Sequence, residues 1–360
     1  MEHSRRGFGA LVGLGVAGTA RQALAQRTEV ATSFEPGDVK HRHLAANGIN
    51  FHIAEQGKGP LVLLCHGFPE TWRSWRHQLP VVAKAGFHAV APDMRGYGQS
   101  DAPPDIASYT IMDLVGDMVG LVAALGEKQA IIVGHDWGAT VAWHAALLRP
   151  DLFPAVVAMS VPFRQRGPVA PLRQLRDAGL NTHYWLYYQQ VGVAEAELER
   201  DVRSTIRRRM YANSGDRPSN SPSTRILQPG EGVLHGTIDP EQFPVWLTPA
   251  DLDYLVAEYT RTGFRGGLNY YRNLDRNWEL LAPWAGAAIR PRALFIAGTK
   301  DQTIGSNGGS RAEMEAMKTT VPNLERSVMI EGAGHYTPEE RPQQVNEALI
   351  QFLRGVTVSR

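Results

Sequence analysis

The sequence has 360 residues, 43% of them hydrophobic, which suits one large α/β domain or two smaller ones with a substantial core. Its 37 Lys and Arg against 36 Asp and Glu leave a formal charge of +1, so charge gives no case for nucleic acid or an acidic polymer as a partner. One cysteine, Cys65, excludes an intrachain disulfide; inside the apolar run LVLLCHG it reads as a small buried side chain, not a nucleophile.

In chain order, Arg5 and Arg6 come first, ahead of an apolar, Gly- and Ala-rich run from Phe8 to Ala20 and then Ala23-Leu24-Ala25. The pattern resembles a twin-arginine export signal over residues 1–25, cleaved after Ala25. The run falls short of the roughly 20 apolar residues a spanning helix needs, so no stable membrane insertion is expected. Loss of Arg5, Arg6, Arg21 and Glu2 would take the formal charge from +1 to −1. The twin-arginine export machinery is then an expected partner and the location periplasmic or secreted; the alternative is a cytoplasmic protein with a basic N-terminus.

A polar linker over 26–40 leads into INFHIAEQG, which alternates like a half-buried strand, and PLVLLC, which reads as a fully buried one. HAVAPD repeats the buried pattern before the loop RGYGQSD. Residues 110–125 set Ile111, Leu114, Val115, Met118, Val119, Val122 and Leu125 on one helical face. QAIIVG is a strand, TVAWHAALL a helix and AVVAMS another strand. This alternation predicts a parallel sheet covered on both faces.

The alternation stops near Pro162 and resumes near Arg292 with the strand ALFIAG. The insert is rich in Trp, Tyr and Arg and reads as helical in three parts. Thr248-Pro249-x-Asp251 marks one helix start, and NSGDRPSNSPSTRILQPGEG an irregular loop. The basic run Arg207-Arg208-Arg209 after the acidic EAELERD reads as a solvated helix face with charges paired three or four positions apart. A helix near Glu313, the strand SVMIEG and an amphipathic helix with Val345, Leu349, Ile350 and Leu353 end the chain. The expected organisation is therefore core over 41–162, helical cap over 163–283 and core again over 284–360.

Strand, Gly134-x-Asp136-x-Gly138, helix is the pattern of a nucleophile elbow, although an Asp there could also simply cap the helix. An acid and a histidine should follow in that order, each after a later strand. ALFIAGTKD supplies Asp301 and SVMIEGAGH supplies His335.

From about Val39 to the C-terminus the sequence resembles the epoxide hydrolases of the α/β-hydrolase superfamily, the soluble and microbial type with an Asp nucleophile. The residues that carry the resemblance are HGFPETW, RGYGQSD, GHDWGA, YWLYYQQVGVAEAELE, GLNYYRNLDRNW and GAGHYTPEERP. The resemblance implies an eight-stranded, mostly parallel sheet with helices on both faces and an inserted helical cap. It implies Asp136 as a nucleophile that opens an epoxide to an alkyl ester, and His335 as the base that brings in water, oriented by Asp301. An aspartyl ester can be hydrolysed back to the carboxylate, whereas a serine would be left as an ether. The resemblance also implies Tyr184 and Tyr271 as donors to the epoxide oxygen, with Tyr187, Tyr188 and Tyr270 as register alternatives. Backbone N–H groups of Phe68 and Trp137 would hold the oxyanion; Pro69 has none to give. Phe68, Trp137, Tyr184 and Tyr271 would line the substrate site.

His66 reads as a loop-holding hydrogen-bonding residue. No metal-ligand spacing or phosphate-binding glycine loop stands out, so no metal or cofactor is expected. The expected partners are a small epoxide and water; oligomeric state stays open. A haloalkane or haloacid dehalogenase with the same Asp, His and acid is the alternative activity, and a non-catalytic binding protein on this scaffold a more distant one.

Overall fold

The structure is a computed structural model that describes residues 39–221, 224–304 and 309–358; the expected export signal and nearly all of the expected linker lie outside them. The described residues form one compact unit built on an eight-stranded sheet. Its strands are β1 (Lys40–Ala46), β2 (Ile49–Gly57), β3 (Leu61–Cys65), β4 (His88–Pro92), β5 (Ala130–His135), β6 (Ala155–Met159), β7 (Arg292–Gly298) and β8 (Leu324–Ile330). The spatial order is β1-β2-β4-β3-β5-β6-β7-β8. β2 runs antiparallel to β1 and β4, and every later pairing is parallel.

Apolar side chains on both sides of each central strand make the sheet a buried layer. Leu61, Leu63, Ala130 and Ile132 face one core, shared with the helices Ile111–Ala124 and Trp137–Leu148. Val62, Leu64, Ile131 and Val133 face the other, shared with Leu79–Lys84 and Pro342–Leu353. Each large aliphatic side chain buried this way contributes roughly 1.5–3 kcal/mol. The helix Ile111–Ala124 starts at a capping box in which Thr110 and Asp113 each accept the other's backbone N–H.

Two expectations need correction. β1 begins at Lys40, inside the stretch expected as linker; as an edge strand of mostly exposed residues, KHRHLAA lacks the apolar alternation that marks a half-buried strand. Between β6 and β7 the described residues of the insert form seven α-helices, not three: Pro171–Asp177, Tyr184–Tyr188, Val193–Leu198, Val202–Asn213, Pro249–Thr262, Arg265–Arg272 and Leu274–Leu280. Several are too short to carry a clear helical period, and only the capping box of Thr248 and Asp251 stands where the sequence marks a start.

The insert packs over the C-terminal ends of the parallel strands, fixed there by polar contacts. Arg73 Nε donates to Asp251 at 2.9 Å, Asn277 accepts the N–H of Ile111 at 2.7 Å, and the Tyr270 hydroxyl donates to the Arg95 carbonyl at 2.9 Å. Among the described residues no helix is long and apolar enough to cross a membrane.

Candidate active site

Asp136 sits between β5 and the helix Trp137–Leu148 with φ 52° and ψ −117°, a backbone region that non-glycine residues rarely occupy. The flanking glycines make this turn possible by close approach. A Cβ on Gly134 would collide with the Gly138 carbonyl, and one on Gly138 with the Cys65 carbonyl. Gly67 has the same role from the other side, since its Cβ would strike the Asp136 side chain. The turn therefore thrusts Asp136 out over the strand ends and against the Gly67-Phe68 backbone.

The two Asp136 oxygens meet different partners. Oδ1 accepts the Phe68 N–H at 2.9 Å, and Oδ2 lies 3.3 Å from His335 Nε2. His335 Nδ1 faces Asp301 at 3.2 Å from Oδ1 and 3.3 Å from Oδ2. Asp301 Oδ1 also accepts the N–H of Thr303 at 2.8 Å, with the Thr303 hydroxyl at the same distance. Burial opposes the charge on all three groups, but their mutual attraction prevails. Asp136 and Asp301 are held below the ordinary carboxylate range, by His335 in each case, while the two carboxylates push His335 well above the ordinary imidazole range. The two carboxylates thus favour the protonated form of the imidazole between them.

Trp137 occupies the first helical position, where a backbone N–H has no intrahelical partner. Tyr184 and Tyr271 line the same cavity as Asp136, their rings 5.7 Å apart. Gly266 and Gly267 let the helix bearing Tyr271 press against Gly96 and the Phe68 ring. Among the described residues the Tyr271 hydroxyl has no hydrogen-bond partner; that of Tyr184 interacts with the neighbouring Trp185 side chain, which lowers its pKa against the effect of burial. The register alternatives differ: Tyr270 donates to Arg95, Tyr187 donates to Glu197 at 2.8 Å, and Tyr188 is buried away from these cavities. Burial raises the pKa of Tyr184 and, more strongly, of Tyr271, so both phenols remain protonated at neutral pH. Trp137 packs edge-on to Tyr271 at 5.0 Å and Phe68 edge-on at 5.9 Å, so the expected substrate-lining residues stand together.

Asp136 stands at the junction of two cavities. The larger, about 510 Å³, is walled by Trp137, Trp143, Phe163, Trp185 and Leu281. The smaller, about 40 Å³, is polar and contains His335, Asp301, Asn213, Arg209 and Arg225.

Several contributing residues have no marker in the sequence. Glu70 accepts the Gly67 N–H at 2.6 Å and faces His135 Nδ1 at 3.0 Å, while His135 Nε2 faces the His335 carbonyl at 2.7 Å. With an acceptor at each ring nitrogen, His135 is doubly protonated; despite burial, Glu70 raises its pKa. Ser160, at φ 68°, donates to that same His335 carbonyl at 2.8 Å, and Asn213 of the insert accepts the His335 N–H at 2.9 Å. The base is thereby pinned by its own backbone. His66 holds its loop as expected, with Nε2 accepting the Met94 N–H at 2.9 Å. Cys65 is fully buried, and burial pushes its thiol pKa up.

The basic run departs from expectation. Arg207 pairs with Asp239 at 2.7 Å, Arg208 donates to the Leu234 and Thr237 carbonyls, and Arg209 is turned inward and 7% exposed. No acid of the preceding EAELERD pairs with any of the three, because the helix begins at Val202 and turns this face toward the insert's own loop and interior. Among the described residues no three His, Cys, Asp or Glu side chains form a group that would hold a metal ion.

The α/β-hydrolase fold family matches residues 60–342. The Mycobacterium tuberculosis protein "Epoxide hydrolase A" is 44% identical, over 89% of this chain and 99% of its own. The chain belongs to the epoxide hydrolases of the α/β-hydrolase fold. An epoxide hydrolase of Caballeronia sordidicola is 40% identical over 90% of this chain and 97% of its own. The crystal structure of epoxide hydrolase A from Mycobacterium thermoresistibile superposes with a TM-score of 0.83 at 43% identity, covering 89% of this chain and all of that one. The eight-stranded, mostly parallel sheet with its helical insert is this family's fold.

Proposed function

We propose that this epoxide hydrolase converts an epoxide and water to a vicinal diol through an ester on Asp136. The observation that carries the reading is the split environment of that carboxylate, with Oδ1 on the Phe68 N–H, Oδ2 beside His335, and two phenols lining the same cavity. In the first half, Oδ2 attacks a ring carbon; the carbon–oxygen bond of the ring breaks, and Tyr184 or Tyr271 gives a proton to the departing alkoxide. Alkylation removes the Asp136 charge that helped hold His335 protonated, so His335 passes its proton back to the phenolate.

In the second half, neutral His335 takes a proton from water as the water oxygen bonds to the Asp136 carboxyl carbon. The negative charge that develops on Oδ1 falls on the N–H groups of Phe68 and Trp137. The bond from that carbon to Oδ2 then breaks, and the leaving diol oxygen takes the proton of the new carboxyl. Asp301 keeps the imidazole oriented throughout.

This route predicts the fate of the oxygen atoms. In a single turnover in heavy-oxygen water, the first diol should carry ordinary oxygen from Asp136, and the label should enter the peptide containing Asp136. Label in the first diol with none in the peptide would mean direct attack by water and would reject the ester. Halide-binding chemistry is less well supported, because it gives no use to two phenols lining the nucleophile's cavity.

A further inference from the structure

Arg209 is a charged group that takes no bond-making or proton-transfer part in this chemistry. It projects from the helix Val202–Asn213 into the smaller cavity, which it shares with Asp136, His335, Tyr184 and Tyr271. Its side chain is more than nine-tenths buried, and its Nε is enclosed with no acceptor. Among the described residues its guanidinium makes no hydrogen bond, ion pair or cation–π contact. The four groups that act on it most strongly after burial are phenols, those of Tyr188, Tyr336, Tyr271 and Tyr184. An uncompensated buried guanidinium is costly, and in folded proteins such a charge is ordinarily paired.

The charges around this cavity leave room for an anion. Asp136 and Asp301 both stand beside His335, whose pKa they raise, and Arg209 has no carboxylate of its own in the lining. Arg225 already donates to the Gln302 carbonyl at 3.1 Å, so Arg209 is the cation with free donors. The space beside it, about 40 Å³, holds roughly three water-sized groups, which is the size of a carboxylate and not of a chain. The larger, aromatic cavity adjoins it, the two sharing Asp136, Tyr184 and Tyr271 as lining residues.

We propose that this pocket takes epoxides bearing a carboxylate close to the ring, with the carboxylate on the Arg209 guanidinium and the apolar substituent in the large cavity. The inference rests on the epoxide-opening reading above and adds the substrate class. A planar guanidinium binds a carboxylate through two parallel N–H donors, which fixes the ring against Asp136 as well as supplying affinity. The small size of the polar arm places the carboxylate within a few bonds of the reacting carbon, so a glycidate fits and a long acid with a distant head group does not.

The test compares phenylglycidate, phenylglycidamide and styrene oxide with the full chain. Diol from styrene oxide tests the reaction class, separately from the anion site. The wild type should turn over the acid with a kcat/KM about 10–100-fold above that of the amide, the span of charge-assisted hydrogen bonds. Arg209→Gln should bring that ratio to about one or below, and Arg209→Lys should restore part of it. An amide handled as well as the acid by the wild type, or a ratio untouched by Arg209→Gln, would overturn the proposal. Calorimetry of wild-type protein with unreactive cinnamate and cinnamamide needs neither turnover nor a variant. Tighter binding of the acid by about tenfold or more supports the site even if no epoxide is opened. Equal or weaker binding means that water alone solvates Arg209, and the proposal fails.

Discussion

Replacing His335 with Gln separates the two halves of the cycle. Attack by Asp136 consumes no proton from His335, and the Phe68 N–H that orients Oδ1 remains, so alkylation should stay within about tenfold of wild type at or above neutral pH. Hydrolysis of the ester loses its general base, a loss of about 10²–10⁴ in rate, or about 3–5.5 kcal/mol of barrier. Asp301 loses its cation but keeps two contacts from Thr303 at 2.8 Å, so the folding cost should not exceed the roughly 3–5 kcal/mol of a broken buried pair. Intact-protein mass spectrometry after mixing with excess epoxide should show a long-lived adduct heavier by the whole epoxide, because ring opening expels no atom. A folded variant that forms diol at the wild-type rate, or one that binds epoxide and stays unmodified, would refute the role given to His335.

The phenols govern the first half alone: Tyr271→Phe should slow single-turnover alkylation by about 10–100-fold and leave ester hydrolysis unchanged, and an unaltered alkylation rate would remove Tyr271 from the reaction. Glu70→Ala leaves the buried His135 cation and the Gly67 N–H without their acceptor, and should cost about 3–5 kcal/mol in urea unfolding; a loss within experimental error would mean that His135 is neutral. The raised pKa of His335 stabilises the fold fully below its unfolded value of 6.5, and that contribution disappears as pH rises through the raised value. Unfolding free energy should therefore fall on the alkaline side in wild type and fall less in His335→Gln; identical profiles would show that His335 carries no charge at rest. Arg5→Lys with Arg6→Lys should keep the protein out of the periplasm in cell fractionation, and unchanged export would reject the twin-arginine reading.

The parts of this molecule legible in its sequence are those where one physical rule acts locally. Fully buried strands such as LVLLC and AIIVGH announce themselves as apolar runs, and the helix at Pro249 by its capping box. The elbow is legible because close approach of three backbone segments admits only glycine at Gly134 and Gly138. β1 was hidden because an edge strand needs no apolar face, and the division of the insert because five- to eight-residue helices are held by tertiary contacts. Glu70, His135 and Ser160 were hidden for a related reason. They act on His335 through its backbone from 265, 200 and 175 residues away, and no local pattern encodes such a distance.

Arg209 shows where local reasoning misleads. A basic triplet beside an acidic stretch satisfies every rule for a solvated face, and two of its three members do reach polar partners near the surface of the insert. The third is separated from Arg208 by one residue's rotation about the helix axis, about 100°, enough to carry a side chain from the outside of a helix to its inside. Once inward, it shares a cavity with a nucleophile that must stay ionised and a base that must lose its proton after alkylation. A cation there steadies the carboxylate before attack and favours release of the imidazolium proton afterwards, so its effect on both halves has the productive sign. The same position makes it the natural counter-charge for an acidic substrate. These effects differ in their dependence on substrate charge, which is why the ratio of acid to amide, and not the rate with either alone, reports what Arg209 does.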